Sequence, residues 1–140
     1  MLIDSNIFLE ISRGQEKIDD CRAFLNAIDE GFFPEQAYIT DFTMHTLEYM
    51  LHKKDKPFLR EILLMIHEDK VKVVRPSAKD DICTLGILKD IELDLDDGIQ
   101  FMATMKLMTY LVTFDKHFKK THLPVKTPAQ VLRTIIPNYR

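Results

Sequence analysis

Short apolar strands alternating with longer segments of helical period predict an α/β fold, a three-layer α/β/α sandwich with a mainly parallel sheet of about five strands. Two further observations support it. The chain has 140 residues, 46% hydrophobic and 29% charged, a composition that lets one domain bury a core without disulfide or metal staples. It contains no internal repeat, low-complexity tract or Gly/Ser linker, so residues 1–140 read as a single domain.

The first strand runs from Met1 to Ile3 and ends at Asp4. A helical stretch follows, with Ile18, Cys21, Phe24, Leu25 and Ile28 at helical spacing and Gly31 as its stop. Ala37-Tyr38-Ile39 is a second strand, after which Thr40 or Asp41 caps a helix reaching about His52. Pro57 opens the next helix, whose buried stripe is Phe58, Ile62, Met65 and Ile66. Val71 to Val74 is the third strand, stopped by Pro76. Ser77 caps a helix through about Ile91, and another covers Asp94 to Leu107. Tyr110-Leu111-Val112 is the fourth strand and Pro124-Val125-Lys126 a short fifth one at an edge. Thr127 caps a final helix with Pro128 at its first position. Strands joined through helices pair in parallel and are covered on both faces.

The net charge of −3 argues against a protein that simply coats nucleic acid. Its distribution is uneven. Residues 1–115 carry all 22 acids and 13 of the 19 basic residues, while residues 116–140 carry six basic residues and no acid. Cys21 and Cys83 lack metal-ligand spacing and predict reduced thiols in a cytoplasmic protein. No apolar run approaches the roughly 20 residues of a membrane span. Met1-Leu2-Ile3-Asp4 lacks the basic start of a signal peptide.

Ligand sites in open α/β sheets lie beyond the carboxyl ends of the strands, where strand order reverses. Three strands here run into an acid or hydroxyl: Ile3-Asp4, Ile39-Thr40-Asp41 and Val112-Thr113-Phe114-Asp115. Asp94, Asp96 and Asp97 open the helix leading into the fourth strand. Acids at a helix start complement the macrodipole, which accounts for Asp94 and Asp96. It does not account for acids ending two strands that should be neighbours. Converging carboxylates repel and lose hydration unless a cation compensates them, and all-oxygen ligands suit Mg²⁺ or Mn²⁺.

The opening MLIDSNIFL resembles the strand–Asp–Thr/Ser–Asn start of PIN-domain ribonucleases, and LDLDDGIQFMATMKLMTYLVTFDKHF resembles the later half of that motif set. The resemblance implies a PIN fold, an RNA substrate and Mg²⁺- or Mn²⁺-dependent hydrolysis of phosphodiester bonds. It extends to VapC-like toxins and so implies an antitoxin partner and raises the expectation of a homodimer. Matched residue by residue, Asp4, Asp97 and Asp115 are the implied catalytic metal ligands, with Asn6 and Thr113 supporting them and Asp94 or Asp96 acting from the outer shell. The match departs from the family at ITDFTMHTLEYML, where Thr46 falls on a position usually held by Glu. Glu48 does not replace it. With Met44, Leu47, Met50 and Leu51 as the buried stripe, a turn of about 100° per residue puts Thr46 and Glu48 on opposite flanks.

Lys116, Lys119 and Lys120 follow Asp115 and are read as an RNA-binding rim, with His117 and His122 in the same run. His45, Glu48 and His52 share a helix face and read as solvated surface rather than a zinc site. Lys53, Lys54, Lys56 and Arg60 form a second basic cluster with no positional link to the acids. The apolar faces of the helices at 58–66 and 82–91 add to the expectation of a homodimer. Two alternatives remain. One is a PIN-fold binding module weakened in catalysis, which Thr46 favours. The other is a phosphatase-like hydrolase, against which Asp4-Ser5-Asn6 lacks an Asp-x-Asp pattern.

Overall fold

A computed structural model describes residues 1–140, in which strands and helices alternate as β1 (Leu2–Ile3), α1 (Ser5–Arg13), α2 (Ile18–Asp29), β2 (Ala37–Thr40), α3 (Asp41–Leu51), α4 (Lys56–His67) and β3 (Val71–Val74). The second half contributes α5 (Ala78–Ile87), α6 (Leu95–Lys106), β4 (Leu111–Val112), a 3₁₀ turn (Lys116–Lys120), β5 (Val125–Lys126) and α7 (Pro128–Leu132). All five strands pair in parallel, in the order β3-β2-β1-β4-β5. The chain builds outward from β1 to β3, then returns to place β4 on the other side of β1. Strand order therefore reverses between β1 and β4, whose ends are in register through Ile3 and Val112. This is the crevice in which an open α/β sheet binds its ligand.

The period-2 alternation of strand side chains sorts the core into two layers. Ile3, Ile39 and Val112 join the larger apolar cluster with Phe8, Phe24, Leu47, Phe58 and Val131, drawn from α1, α2, α3, α4 and α7. Leu2 and Leu111 point the other way and pack with Ala103, Phe118 and Leu123. The second layer is thinner, and its main cover is α6. No helix is long and apolar enough to cross a membrane.

Two boundaries differ from those the sequence pattern predicts. The single helical stretch after Asp4 is two helices, because Gly14 adopts φ +62° and its N–H turns back to the carbonyls of Glu10 and Ile11. A residue without Cβ takes that left-handed position readily and ends α1. The helix expected to reach Ile91 ends at Ile87. There the chain reverses so that α6 can cross α5 at Gly98, where Leu88 and Thr84 carbons lie 2.8 Å from the place a Cβ would occupy. Other caps fall on the residues that local chemistry favours: Thr40 accepts from Thr43 N–H, Ser77 and Asp80 form a capping box, and Thr127 and Gln130 form another.

Candidate metal centre

Asp4 stands at the N-cap position of α1, yet its side chain caps nothing. Its Oδ2 instead accepts from the Thr113 hydroxyl at 2.7 Å and from Asn6 Nδ2 at 3.2 Å. Thr113 Oγ1 in turn accepts from Asn6 Nδ2 at 2.9 Å and from the backbone N–H of Asp115 at 3.0 Å. One buried hydroxyl thus joins the end of β1 to the loop after β4. Asp4 Oδ1 receives only a 3.3 Å contact from the Ser5 hydroxyl.

The carboxylates of Asp4, Asp97 and Asp115 line one cavity of about 320 Å³, to which Asp94, Asp96 and Thr46 also contribute. Asp94 has a structural task, since it caps α6 by accepting from Asp97 N–H at 3.0 Å. That bond fixes the first turn of α6, from which Asp97 projects. Asp96 is exposed. Asp115 follows β4, and its Oδ1 accepts the His117 N–H at 2.8 Å. Asp97, Asp115 and His117 each bring a ligand atom within 4.8 Å of the others, while Asp4 lies in the same wall outside that trio.

Thr46 lies in the cavity wall with its hydroxyl donated back to the Phe42 carbonyl at 2.9 Å. Neither nearby acid takes its place. Glu48 sits beside His45 Nδ1 at 3.3 Å on the exposed face of α3, and Asp41 pairs loosely with Arg75 at 3.7 Å outside this cavity. His52 turns its Nδ1 onto carbonyls of its own helix, so His45, Glu48 and His52 do not converge.

Burial raises the pKa of Asp4, opposed by hydrogen bonds from Thr113 and Asn6 and reinforced by the charge of Asp115. Burial also lifts Asp97 from 3.8 to about 6, assisted by the charges of Asp94, Asp115 and Asp4 and opposed by His117. This crowding of like charge works against stability. It also sets a pH signature. The folded state holds the Asp97 proton more tightly than the unfolded chain does, so stability falls as pH rises from about 4 through 6. Ionising a carboxyl raised that far costs the fold at most about 3 kcal/mol, and partial solvent screening reduces this to roughly 1–2 kcal/mol. In EDTA, Asp97→Asn should therefore melt higher than the parent at pH 7.5 by about 3–7 °C, with the gap closing near pH 4. Melting curves across pH check this, and a gap that persists at pH 4 would contradict it.

The basic run takes the form of the 3₁₀ turn, anchored by the fully buried Phe118. Lys116 and Lys119 are exposed at its surface, whereas Lys120 is paired with Glu92 at 2.9 Å. Two cavity residues carry more than the sequence pattern assigns them. His117 reads there as one member of a basic run. Gln100 lies on the α6 face three residues after Asp97; its Nε2 donates to Thr43 Oγ1 at 3.0 Å and its Oε1, though buried, has no partner. Asn6 Oδ1 is likewise buried and unpaired.

The model of the PIN domain family matches residues 1–122. Among solved structures, the chain is similar to a toxin–antitoxin complex from Klebsiella pneumoniae, with TM-score 0.65 and 21% identity over 91% of this chain and 96% of that one. It is also similar to VapBC2 from Rickettsia felis bound to a DNA fragment from its promoter, with TM-score 0.65 and 17% identity over 90% of this chain and 96% of that one. At these identities the likeness is one of fold. No curated protein sequence matches the chain.

Proposed function

The chain belongs to the PIN-domain family, and on that premise we propose that it is a metal-dependent ribonuclease using Asp4, Asp97 and Asp115, and the toxin of a toxin–antitoxin pair. The observation that carries this reading is Asp4, an acid that gives up its helix cap and faces a cavity shared with two further aspartates. The donor set fits a hard divalent cation such as Mg²⁺ or Mn²⁺: carboxylates on three separate elements, with buried amide oxygens of Asn6 and Gln100 free to accept. When bound, such an ion supplies Lewis-acid stabilisation of phosphoryl oxygens and a more acidic water.

The chain's own residues do the positioning. Asp97 and Asp115 would hold the cation, since their carboxylates are the two that come together in the cavity. Thr113 and Asn6 fix Asp4 Oδ2, while Oδ1 receives only the 3.3 Å contact from Ser5. The unpaired Gln100 Oε1 is an acceptor available to orient a water in the wall. Lys116 and Lys119, exposed on the turn that follows Asp115, guide the RNA backbone. Exposed Leu63 and Leu64 on α4, with Ile82 and Leu85 on α5, offer apolar surface for a homodimer or an antitoxin. The reduced cysteines Cys21 and Cys83 suit a cytoplasmic setting.

The test is to incubate single-stranded and structured RNA with the protein in Mn²⁺, with and without EDTA. Cleavage that needs the metal and disappears in Asp115→Asn is the expected result. RNA bound but never cut would favour the second reading, a PIN-fold binding module, to which Thr46 lends a specific reason. Binding itself should depend on salt. Replacing Lys116 and Lys119 with Ala should lower the slope of log K against log salt by about 1 to 2. A slope equal to that of the parent would show the turn to be ordinary solvated surface.

A further inference from the structure

His117 lies over the two carboxylates at the mouth of the cavity. Its Nδ1 is 3.2 Å from Asp115 Oδ1 and 3.5 Å from Asp97 Oδ2, and its backbone is pinned by the N–H donated to Asp115. Phe118, fully buried, holds the rest of the turn in place. These separations match neighbouring ligands of one ion, since bonds of about 2.1 Å at right angles put donor atoms roughly 3 Å apart. The wall behind them contains Gln100, 5% exposed, whose Oε1 has no protein partner. An acceptor left unpaired at that depth calls for a donor within the cavity, and a water on a bound ion is one.

We propose that His117 is itself a metal ligand, so that Asp97, Asp115 and His117 form a mixed oxygen–nitrogen site selecting first-row transition cations over Mg²⁺. This rests on the metal-dependent reading of the cavity and adds which ion the chain prefers. Thr46 supplies the context. Without a carboxylate at that position the wall offers fewer hard oxygen donors, and an imidazole nitrogen favours the softer members of the series. Mg²⁺ gains little from it, because that ion demands oxygen ligands and keeps its waters.

The opposite role for the same geometry is an imidazolium counter-charge to the two aspartates, and the two roles predict opposite signs. Zn²⁺ and Mg²⁺ affinities are measured by calorimetry for the parent, His117→Ala and Asp97→Asn, and Mn²⁺-loaded samples are examined by pulsed EPR for nitrogen coupling. The expected result is a loss in Zn²⁺ affinity of about tenfold or more in His117→Ala, with Mg²⁺ changed less than about twofold. The parent should show directly coupled nitrogen, and the Ala variant should not. Unchanged or tighter Zn²⁺ binding by His117→Ala, equal losses for both ions, or no nitrogen coupling in the parent would each overturn the proposal. Asp97→Asn should weaken both ions. If it binds them as the parent does, the underlying reading of the cavity fails as well, and not only the part assigned to His117.

Discussion

Asp4→Asn should lower RNA cleavage by at least about 100-fold while leaving the metal-free protein as stable as its parent or more so. The asymmetry follows from where Asp4 sits. Its carboxylate is buried in the cavity wall, and burial raises its pKa, so ionisation works against folding. Asparagine keeps the shape and can still accept from Thr113 and Asn6 through its carbonyl oxygen. It removes the charge that faces Asp97 and Asp115. A residue retained for packing would show the reverse, lost stability with retained activity. Cleavage rates and EDTA melting curves on the same preparation separate the two. A variant that cleaves within about threefold of the parent would remove Asp4 from the machinery.

Thr46→Glu should tighten Mn²⁺ binding by about tenfold, or roughly 1.4 kcal/mol, because a carboxylate offers charge where a hydroxyl offers only a dipole. The threonine hydroxyl is already donated to Phe42, and its side chain lines the cavity with the three aspartates. The same substitution places a fourth acid in that wall, so it should lower the melting temperature in EDTA and raise it in Mn²⁺. Where metal occupancy limits turnover, cleavage should increase with it. Mn²⁺ binding by the Glu variant that is unchanged or weaker would contradict this, unchanged binding because it puts position 46 outside reach of the ion.

The features legible in the sequence are those written in local pattern. Ile3-Asp4 and Thr113-Phe114-Asp115 announce themselves as strand ends, and the caps at Thr40, Ser77 and Thr127 follow from side chains that satisfy free helix N–H groups. The break between α1 and α2 is harder to see, because Ile7, Phe8 and Ile11 continue the same helical period across Gly14. The early end of α5 depends on α6 crossing it at Gly98, a contact between elements. Three site facts are tertiary in the same sense. Asp94 and Asp96 read alike as helix-start acids, but only Asp94 is consumed as the cap. Lys120 reads like Lys119 but finds Glu92, 28 residues earlier in the chain. His117 reads as one more basic residue, and only the tight 3₁₀ turn after Asp115 carries its ring back over the carboxylates.

A divalent cation held between Asp97 and Asp115, in the cavity that Asp4 also lines, is the proposal on which the rest depends. Anomalous diffraction at the manganese edge, from crystals of this chain soaked in Mn²⁺, addresses it directly. The expected result is a peak between Asp97 and Asp115, on the cavity side of Asp4, within about 2.3 Å of carboxylate oxygens. A peak on the His45–Glu48 face of α3, or none in this cavity at saturating Mn²⁺, would contradict it.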